Sequence, residues 1–159
     1  MNELTNDSAR RIQAALAARG APFSVIELPT SARTAAEAAA ALGCTIAQIA
    51  KSIVFRSTLD DSPVLVVASG VNRIDERRVE TLIARPIAKA DAAYVRARTG
   101  FAIGGIPPLG HAIALPTLID RDLLAHAEIW AAAGTPHAVF KLDPHSLVAL
   151  TGGTLADVA

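Results

Sequence analysis

Two apolar runs divided by a short acidic turn constrain this chain more than any other feature. Lys51-Ser-Ile-Val-Phe55 and Val64 to Ala68 carry the β-branched and aromatic side chains that suit strands, and Asp60-Asp61-Ser62-Pro63 between them is turn chemistry. A hairpin near mid-chain is therefore predicted. A hairpin alone is marginal in water, so its apolar faces must be covered by other elements.

The flanking sequence supplies them. Asn6, Asp7 or Ser8 caps a first helix with Ile12 and Leu16 on one face, and Gly20 ends it. Pro22 to Leu28 reads as a strand. Thr34-Ala-Ala-Glu37 has capping-box spacing at the head of an alanine-rich helix that Gly43 stops, and Thr45-Ile-Ala-Gln48 repeats the spacing over one short turn. Helical spacing returns over Ile74 to Ala84 and over Asp91 to Thr99, the latter closed by Gly100. Beyond Gly110 come short β-like pieces at Ala112 to Leu115, Ile129 to Ala133 and Ala138 to Leu142. Asp120 is expected to cap the turn after it, and Asp143-Pro144 starts a last helix running to about Leu150. The fold class predicted is α+β, a mixed α/β arrangement with helices packed around a mixed sheet.

Composition limits the function classes. With 159 residues, 52% of them hydrophobic, one domain over residues 1–159 is expected and disorder is excluded. The positive mean hydropathy comes from short runs, none near the roughly 18 apolar residues of a membrane span. The segment Met1 to Arg11 is polar and unlike a secretory signal, and the single Cys44 forms neither an internal disulfide nor a cysteine cluster. Both point to the cytoplasm, with no membrane partner. The 15 basic and 15 acidic side chains argue against non-specific coating of nucleic acid, and no DNA partner is expected. That balance is uneven, however. Residues 73–98 hold seven basic side chains, among them Arg73, Arg77 and Arg78, against four acidic ones, an excess of +3 that the remainder of the chain offsets with −3. Such a flank suits either the end of an RNA or the solvated faces of two helices.

Two features carry candidate chemistry. Gly100-Phe-Ala-Ile-Gly-Gly-Ile-Pro-Pro-Leu-Gly110-His111 places adjacent glycines before two prolines, a loop able to present backbone N–H groups to a carbonyl oxygen or carboxylate, or simply a tight helix-to-strand connection. It lacks the Gly-Lys-Ser/Thr ending of a phosphate loop. Lys51, opening an apolar strand, either extends its ammonium to the surface or holds it in a pocket. His111, beside the loop, and His137, after Gly134-Thr-Pro136, are candidate pocket residues. His126 and His145 read as exposed, and no histidine pair has metal-site spacing, so neither metal nor cofactor is expected. No serine sits in a Gly-x-Ser-x-Gly elbow, and Cys44 reads as a small, partly buried residue. The chain shows no evident nucleophile and general base.

Taken together, Arg33-Thr-Ala-Ala-Glu-Ala-Ala-Ala-Ala-Leu-Gly43, Gln48-Ile-Ala-Lys51-Ser-Ile-Val-Phe55, and Gly104-Gly-Ile-Pro-Pro108-Leu-Gly-His111 followed by Leu115-Pro-Thr-Leu-Ile-Asp120 resemble the YbaK family. Its members are free-standing relatives of the editing domain inserted in bacterial prolyl-tRNA synthetase. The resemblance runs from about Ala21 to Thr151. It implies a partly barrel-like mixed sheet surrounded by helices, and deacylation of mischarged tRNA, most directly proline tRNA carrying alanine, cysteine, serine or 2-aminobutyrate. Lys51 falls on the family's characteristic lysine, Gly104 and Pro108 on the ends of its Gly-x-x-x-Pro loop with Gly105 inside it, and Thr34 on a pocket threonine. Ile106, His111, Gly134 and His137 are the further pocket positions expected, and Arg73, Arg77 and Arg78 the expected tRNA contacts. Many relatives carry a small polar residue where this chain has Pro107, which bears on amino-acid selectivity. The implied partners are the 3′ acceptor end of an aminoacylated tRNA and either prolyl-tRNA synthetase or an elongation factor.

The resemblance also accounts for the missing nucleophile. An aminoacyl ester is already activated, so loop N–H groups that hold its carbonyl and a substrate 2′-hydroxyl that helps position water supply substrate-assisted catalysis. Two other readings stand beside it. One is a non-catalytic module that binds tRNA or an aminoacyl-adenosine end in association with a synthetase, and the other is an esterase for a small substrate, which the missing nucleophile disfavours.

Overall fold

The structure, a computed structural model, describes residues 3–159; Met1 and Asn2, the start of the polar N-terminal segment, lie outside the described residues. Five α-helices and eight strands alternate along them. α1 (Asp7–Ala18) begins where the Asn6 side chain accepts the Ser8 and Ala9 N–H groups, and it buries Ile12 and Leu16. After β1 (Val25–Glu27), α2 (Ala35–Leu42) is capped reciprocally by Thr34 and Glu37 and stopped by Gly43 at φ +68°. A 3-10 turn at Ile46–Gln48 leads into β2 (Ile49–Ser57).

The predicted hairpin is present. β2 pairs antiparallel with β3 (Pro63–Ser69) from Ala50↔Ser69 to Arg56↔Pro63. α3 (Glu76–Ile83) and α4 (Ala92–Thr99) start on Asp75 and Asp91, whose carboxylates accept N–H groups of their first turns. Between them, β4 (Ile87–Lys89) adds to the far end of β2. β5 (Thr117–Asp120) follows the long glycine/proline loop, and Asp120 caps the next 3-10 turn as expected, accepting the Asp122 N–H. β6 (Ile129–Ala132), β7 (Ala138–Leu142), α5 (Pro144–Thr151) and β8 (Thr154–Ala156) complete the chain.

One expected strand is displaced. Ala112 to Leu115 is irregular, with Ala112, Ile113 and Ala114 exposed, so their alternation of small and apolar residues has no face to bury. The strand starts after Pro116, whose carbonyl accepts the Leu65 N–H at 2.8 Å and sets the register of β5 against β3. β1 is likewise shorter than Pro22 to Leu28, because only Val25–Glu27 finds partners on β7.

The strand order is β1-β7-β6-β2-β3-β5-β8, with β4 attached to β2 beside this path. β2·β6, β3·β5 and β5·β8 are parallel and the remaining pairs antiparallel. β3 is central and covered on both faces. Leu65 and Val67 join a core with Ile12, Leu16, Phe101 and Phe140, while Val64, Val66 and Ala68 join a second core with Phe55, Val79 and Val158. Double burial explains why Val64 to Ala68 lacks polar alternation.

β2 positions the site. One edge is paired with β3 along its length; the other meets β6 only at Ile49 and Ala50 and β4 only at Phe55 to Ser57. Gly70 N–H donates to the Ile49 carbonyl and Ser57 N–H to the Ser62 carbonyl, so odd-numbered residues of β2 turn their backbone groups toward β3. By alternation, the N–H and C=O groups of Ser52 and Val54 face the interval between β6 and β4, where no strand pairs with them.

Candidate functional site

A cavity of about 550 Å³ opens beside this unpaired interval. Lys51, Ser52 and Ile53 form its wall, Arg33 and Thr34 one rim, Ile103, Gly104 and Ile106 of the glycine loop another, and Trp130 with Ala131 of β6 an end. Lys51 is half-buried, and burial lowers its ammonium from the ordinary lysine value, while the negative charge of Asp120 acts the other way. It forms no ion pair among the described residues. The cation therefore remains available to a ligand.

Asp120, only 2% exposed, braces the floor behind Lys51. Its Oδ2 accepts the Ser69 N–H at 3.0 Å and an Asn72 Nδ2 hydrogen at 2.8 Å, and its Oδ1 accepts the Asp122 N–H at 2.9 Å. These bonds fix the end of β3 and Gly70, where an added Cβ would overlap the Ile46 carbonyl oxygen.

The glycine loop is held on several sides. Gly104 has φ +96° and faces Arg33, whose Cγ would lie 2.7 Å from an added Cβ. Gly105 is closed against backbone: its N–H donates to the Ala102 carbonyl at 3.2 Å, and its carbonyl accepts the Gly134 N–H at 2.9 Å. Its N–H is thus already engaged, whereas Gly104 borders the cavity. Residues Gly105 to Leu109 are buried, Pro107 and Pro108 included. His111 packs edge-on against Phe101, its Nε2 lies 2.7 Å from the Pro107 carbonyl, and burial holds its pKa below the ordinary value. In the neutral tautomer with hydrogen on Nε2, it donates to that carbonyl and steadies the prolines.

Among the expected site residues, Thr34, Lys51, Gly104 and Ile106 meet in this cavity. Gly105, Pro108, His111, Gly134 and His137 do not line it. Gly134 anchors Gly105, and the adjoining turn reaches the opposite rim, where the Pro136 carbonyl accepts the Ala32 N–H and the His137 carbonyl accepts the Leu28 N–H, both at 2.6 Å. The His137 side chain is exposed, as is His145, whereas His126 is half-buried rather than exposed. Thr34 shares its hydroxyl with Glu37 in the helix cap. Arg73 lines an adjoining cavity of about 450 Å³, while Arg77 and Arg78 project from exposed positions on α3, Arg78 paired with Asp75 at 3.6 Å.

A family model for the aminoacyl-tRNA editing domain matches residues 30–150, the interval that carries β2, the glycine loop and both rims. The chain belongs to the aminoacyl-tRNA editing domain family. A solved structure described as "a putative trans-editing enzyme for prolyl tRNA synthetase" shares 47% identity with this editing-domain chain at a TM-score of 0.92, over 98% of each chain. Hypothetical protein APE2540 superimposes with a TM-score of 0.87 at 29% identity, over 93% of this chain and 98% of its own. YwhH of Bacillus subtilis (strain 168) is 30% identical over 123 residues, 77% of this chain and 78% of that protein. These likenesses agree with the YbaK-type expectation for fold and family.

Three residues of the editing-domain cavity escaped the sequence reading. Arg33 covers Gly104 from the preceding rim, Trp130 arrives from β6, and the buried Ser52 hydroxyl has no hydrogen-bond partner among the described residues. Ser52 had a faint signal, as a polar residue inside an apolar strand. Trp130 had none, because only the β2·β6 pairing brings it here. Among the described residues, no group of three His, Cys, Asp or Glu side chains is placed to hold a metal ion, and no helix is long and apolar enough to cross a membrane.

Proposed function

We propose that this chain is a trans-editing deacylase, which hydrolyses the ester between a small mischarged amino acid and the 3′-terminal adenosine of tRNA, proline tRNA above all. The observation that carries the reading is Lys51: an unpaired, half-buried ammonium on the wall of a cavity whose opposite rim is the Gly104 loop. A charge-assisted contact from Lys51 to phosphate or carbonyl oxygen anchors the terminal adenosine. The Gly104 segment lies against the carbonyl as it gains negative charge. Water attacks that carbonyl carbon, the bond to the ribose oxygen breaks, and the ribose oxygen takes a proton. The vicinal hydroxyl of the substrate helps position the water.

Two features of the cavity support a substrate-assisted route. The Thr34 hydroxyl is engaged in its helix cap, and the Ser52 hydroxyl has no base beside it. Selectivity among alanine, serine, cysteine and 2-aminobutyrate rests on size, where one methylene is worth about 1–3 kcal/mol. Several small amino acids are therefore expected to be removed.

The test is a panel of mischarged proline tRNAs incubated with the wild type and with Lys51→Ala. The wild type is expected to release small amino acids and Lys51→Ala to lose this activity while melting normally; wild-type turnover in Lys51→Ala would overturn the mechanism. Retained binding without hydrolysis would instead identify a binding module, and cleavage of simple esters alone an esterase. Reversing Arg77 and Arg78 to glutamate is expected to weaken tRNA binding and flatten its dependence on salt, with the cavity intact. An unchanged salt slope would assign both to ordinary solvated helix surface.

A further inference from the structure

The cleft continues past the first cavity into the second, and the two share the wall formed by Lys51, Ser52, Ile53, Gly70, Ile103 and Ile106. At about 450 Å³ the second lobe is itself within the range of cavities that hold one drug-sized ligand. Its chemistry differs from that of the first. Phe55, Ile74 and Val95 supply an apolar floor, while Lys51, Arg73 and Lys89 supply three cations and Glu76 one carboxylate.

Of the five other basic side chains in the 73–98 segment, three are neutralised by carboxylates and two, Arg77 and Arg96, lie outside the lobe. Arg78, Arg85 and Arg98, from the same basic segment, are each paired with a carboxylate, on Asp75, Asp60 and Asp61. Lys51, Arg73 and Lys89 pair with none among the described residues. Asn72, also on the lobe, is engaged by Asp120 and Asp122 through its amide. Unpaired cations around an apolar floor suit a ligand with a flat, weakly polar body and an anionic end.

Resting on the deacylase reading, we infer that the second lobe is the subsite for the penultimate nucleotide of the acceptor end. The lining of the two lobes assigns a phosphate to each cation. A phosphodiester joining the last two nucleotides must cross between the lobes, and Lys51 stands on their shared wall. The phosphate on the far side of the penultimate nucleotide then lies among Arg73 and Lys89, which line the second lobe alone. Its base rests on Phe55, Ile74 and Val95. The lobe's own charges, three cations against the Glu76 carboxylate, leave an excess of two, which suits the two phosphates that flank one nucleotide.

The experiment compares binding of adenosine 5′-monophosphate with that of the 5′-phosphorylated dinucleotide pCpA by calorimetry. The wild type is expected to bind pCpA at least tenfold more tightly. Arg73→Gln and Lys89→Gln should each weaken pCpA by about tenfold, the scale of one lost charge-assisted contact, and leave adenosine 5′-monophosphate unchanged; Lys51→Ala should weaken both. Equal affinity for the two nucleotides, equal losses for both in the Arg73 and Lys89 variants, or no pCpA binding at millimolar concentration would overturn the subsite. A pCpA preference that depends on Arg73 and Lys89, in a protein that deacylates no tRNA, would sustain the subsite and defeat the deacylase reading. Deacylation without that preference would do the reverse.

Discussion

Replacing Gly105 by alanine tests the loop architecture on steric grounds alone. Gly105 is not among the residues with positive φ, so alanine is compatible with its backbone conformation. The difficulty is space: an added Cβ would lie 2.7 Å from both Cα and C of Thr135 and 2.8 Å from its N. These are backbone atoms, so no rotamer change relieves the overlap and the loop must part from the 134–135 turn. That separation strains the 2.9 Å bond from Gly134 N–H to the Gly105 carbonyl. Overpacking costs about 1–3 kcal/mol and an unsatisfied buried polar group a similar amount, for a combined loss of roughly 2–6 kcal/mol. At about 2–4 °C per kcal/mol for a chain of this length, Tm should fall by roughly 4–24 °C. Gly43→Ala is the control. Gly43 has φ +68° with nothing within 4 Å of an added Cβ, so its cost is conformational, roughly 1–2 kcal/mol. Thermal melting of both variants, followed by deacylation assays, reads the result. A Gly105→Ala protein melting within about 2 °C of wild type would refute the argument that this contact pins the loop.

Asp120→Asn should cost about 2–3 kcal/mol in urea unfolding, since an amide cannot accept all three N–H donors that the carboxylate satisfies. Loss of its charge should also lower the Lys51 pKa further, read as weaker adenosine 5′-monophosphate binding at alkaline pH; stability within about 0.5 kcal/mol of wild type would dismiss the brace. His111 is held below its ordinary value of 6.5 when folded, so its neutral form contributes full stability above that pH, and the contribution is lost as pH falls through the depressed pKa. His111→Gln should therefore flatten the decline in Tm between pH 7 and pH 5. An identical decline would show that other groups cause it.

Local chemistry was legible in the sequence wherever a few neighbouring residues decide the outcome. The caps at Thr34, Asp120 and Asp143 are formed by side chains two or three positions from their donors, and the hairpin turn lies between strands that pair with each other. β4 and β8 were illegible because three residues carry no periodicity, and each exists by pairing with a distant strand. Lys51 stood out as a charge in an apolar run. Arg33 and Trp130 could not, since their place depends on how the rim and β6 meet β2. The division of the cleft into two lobes was equally hidden, and the sequence reading left the basic segment with two meanings. The structure separates its members into three arginines paired with carboxylates, two cations that line a cavity, and Arg77 and Arg96, which do neither among the described residues.

The interrupted pairing of β2 has a consequence for self-association. Bare backbone donors and acceptors on a strand normally invite another chain to dock alongside, which is why exposed sheet edges promote aggregation. Here the bare stretch spans only Lys51 to Val54, about 13 Å of strand, and is bounded by β6 at one end and β4 at the other. A neighbouring molecule's strand would collide with both before aligning more than a few residues. The protein thus keeps main-chain hydrogen-bonding groups open beside its cleft in a slot too short to template a fibre, and a small ligand can enter where a strand cannot.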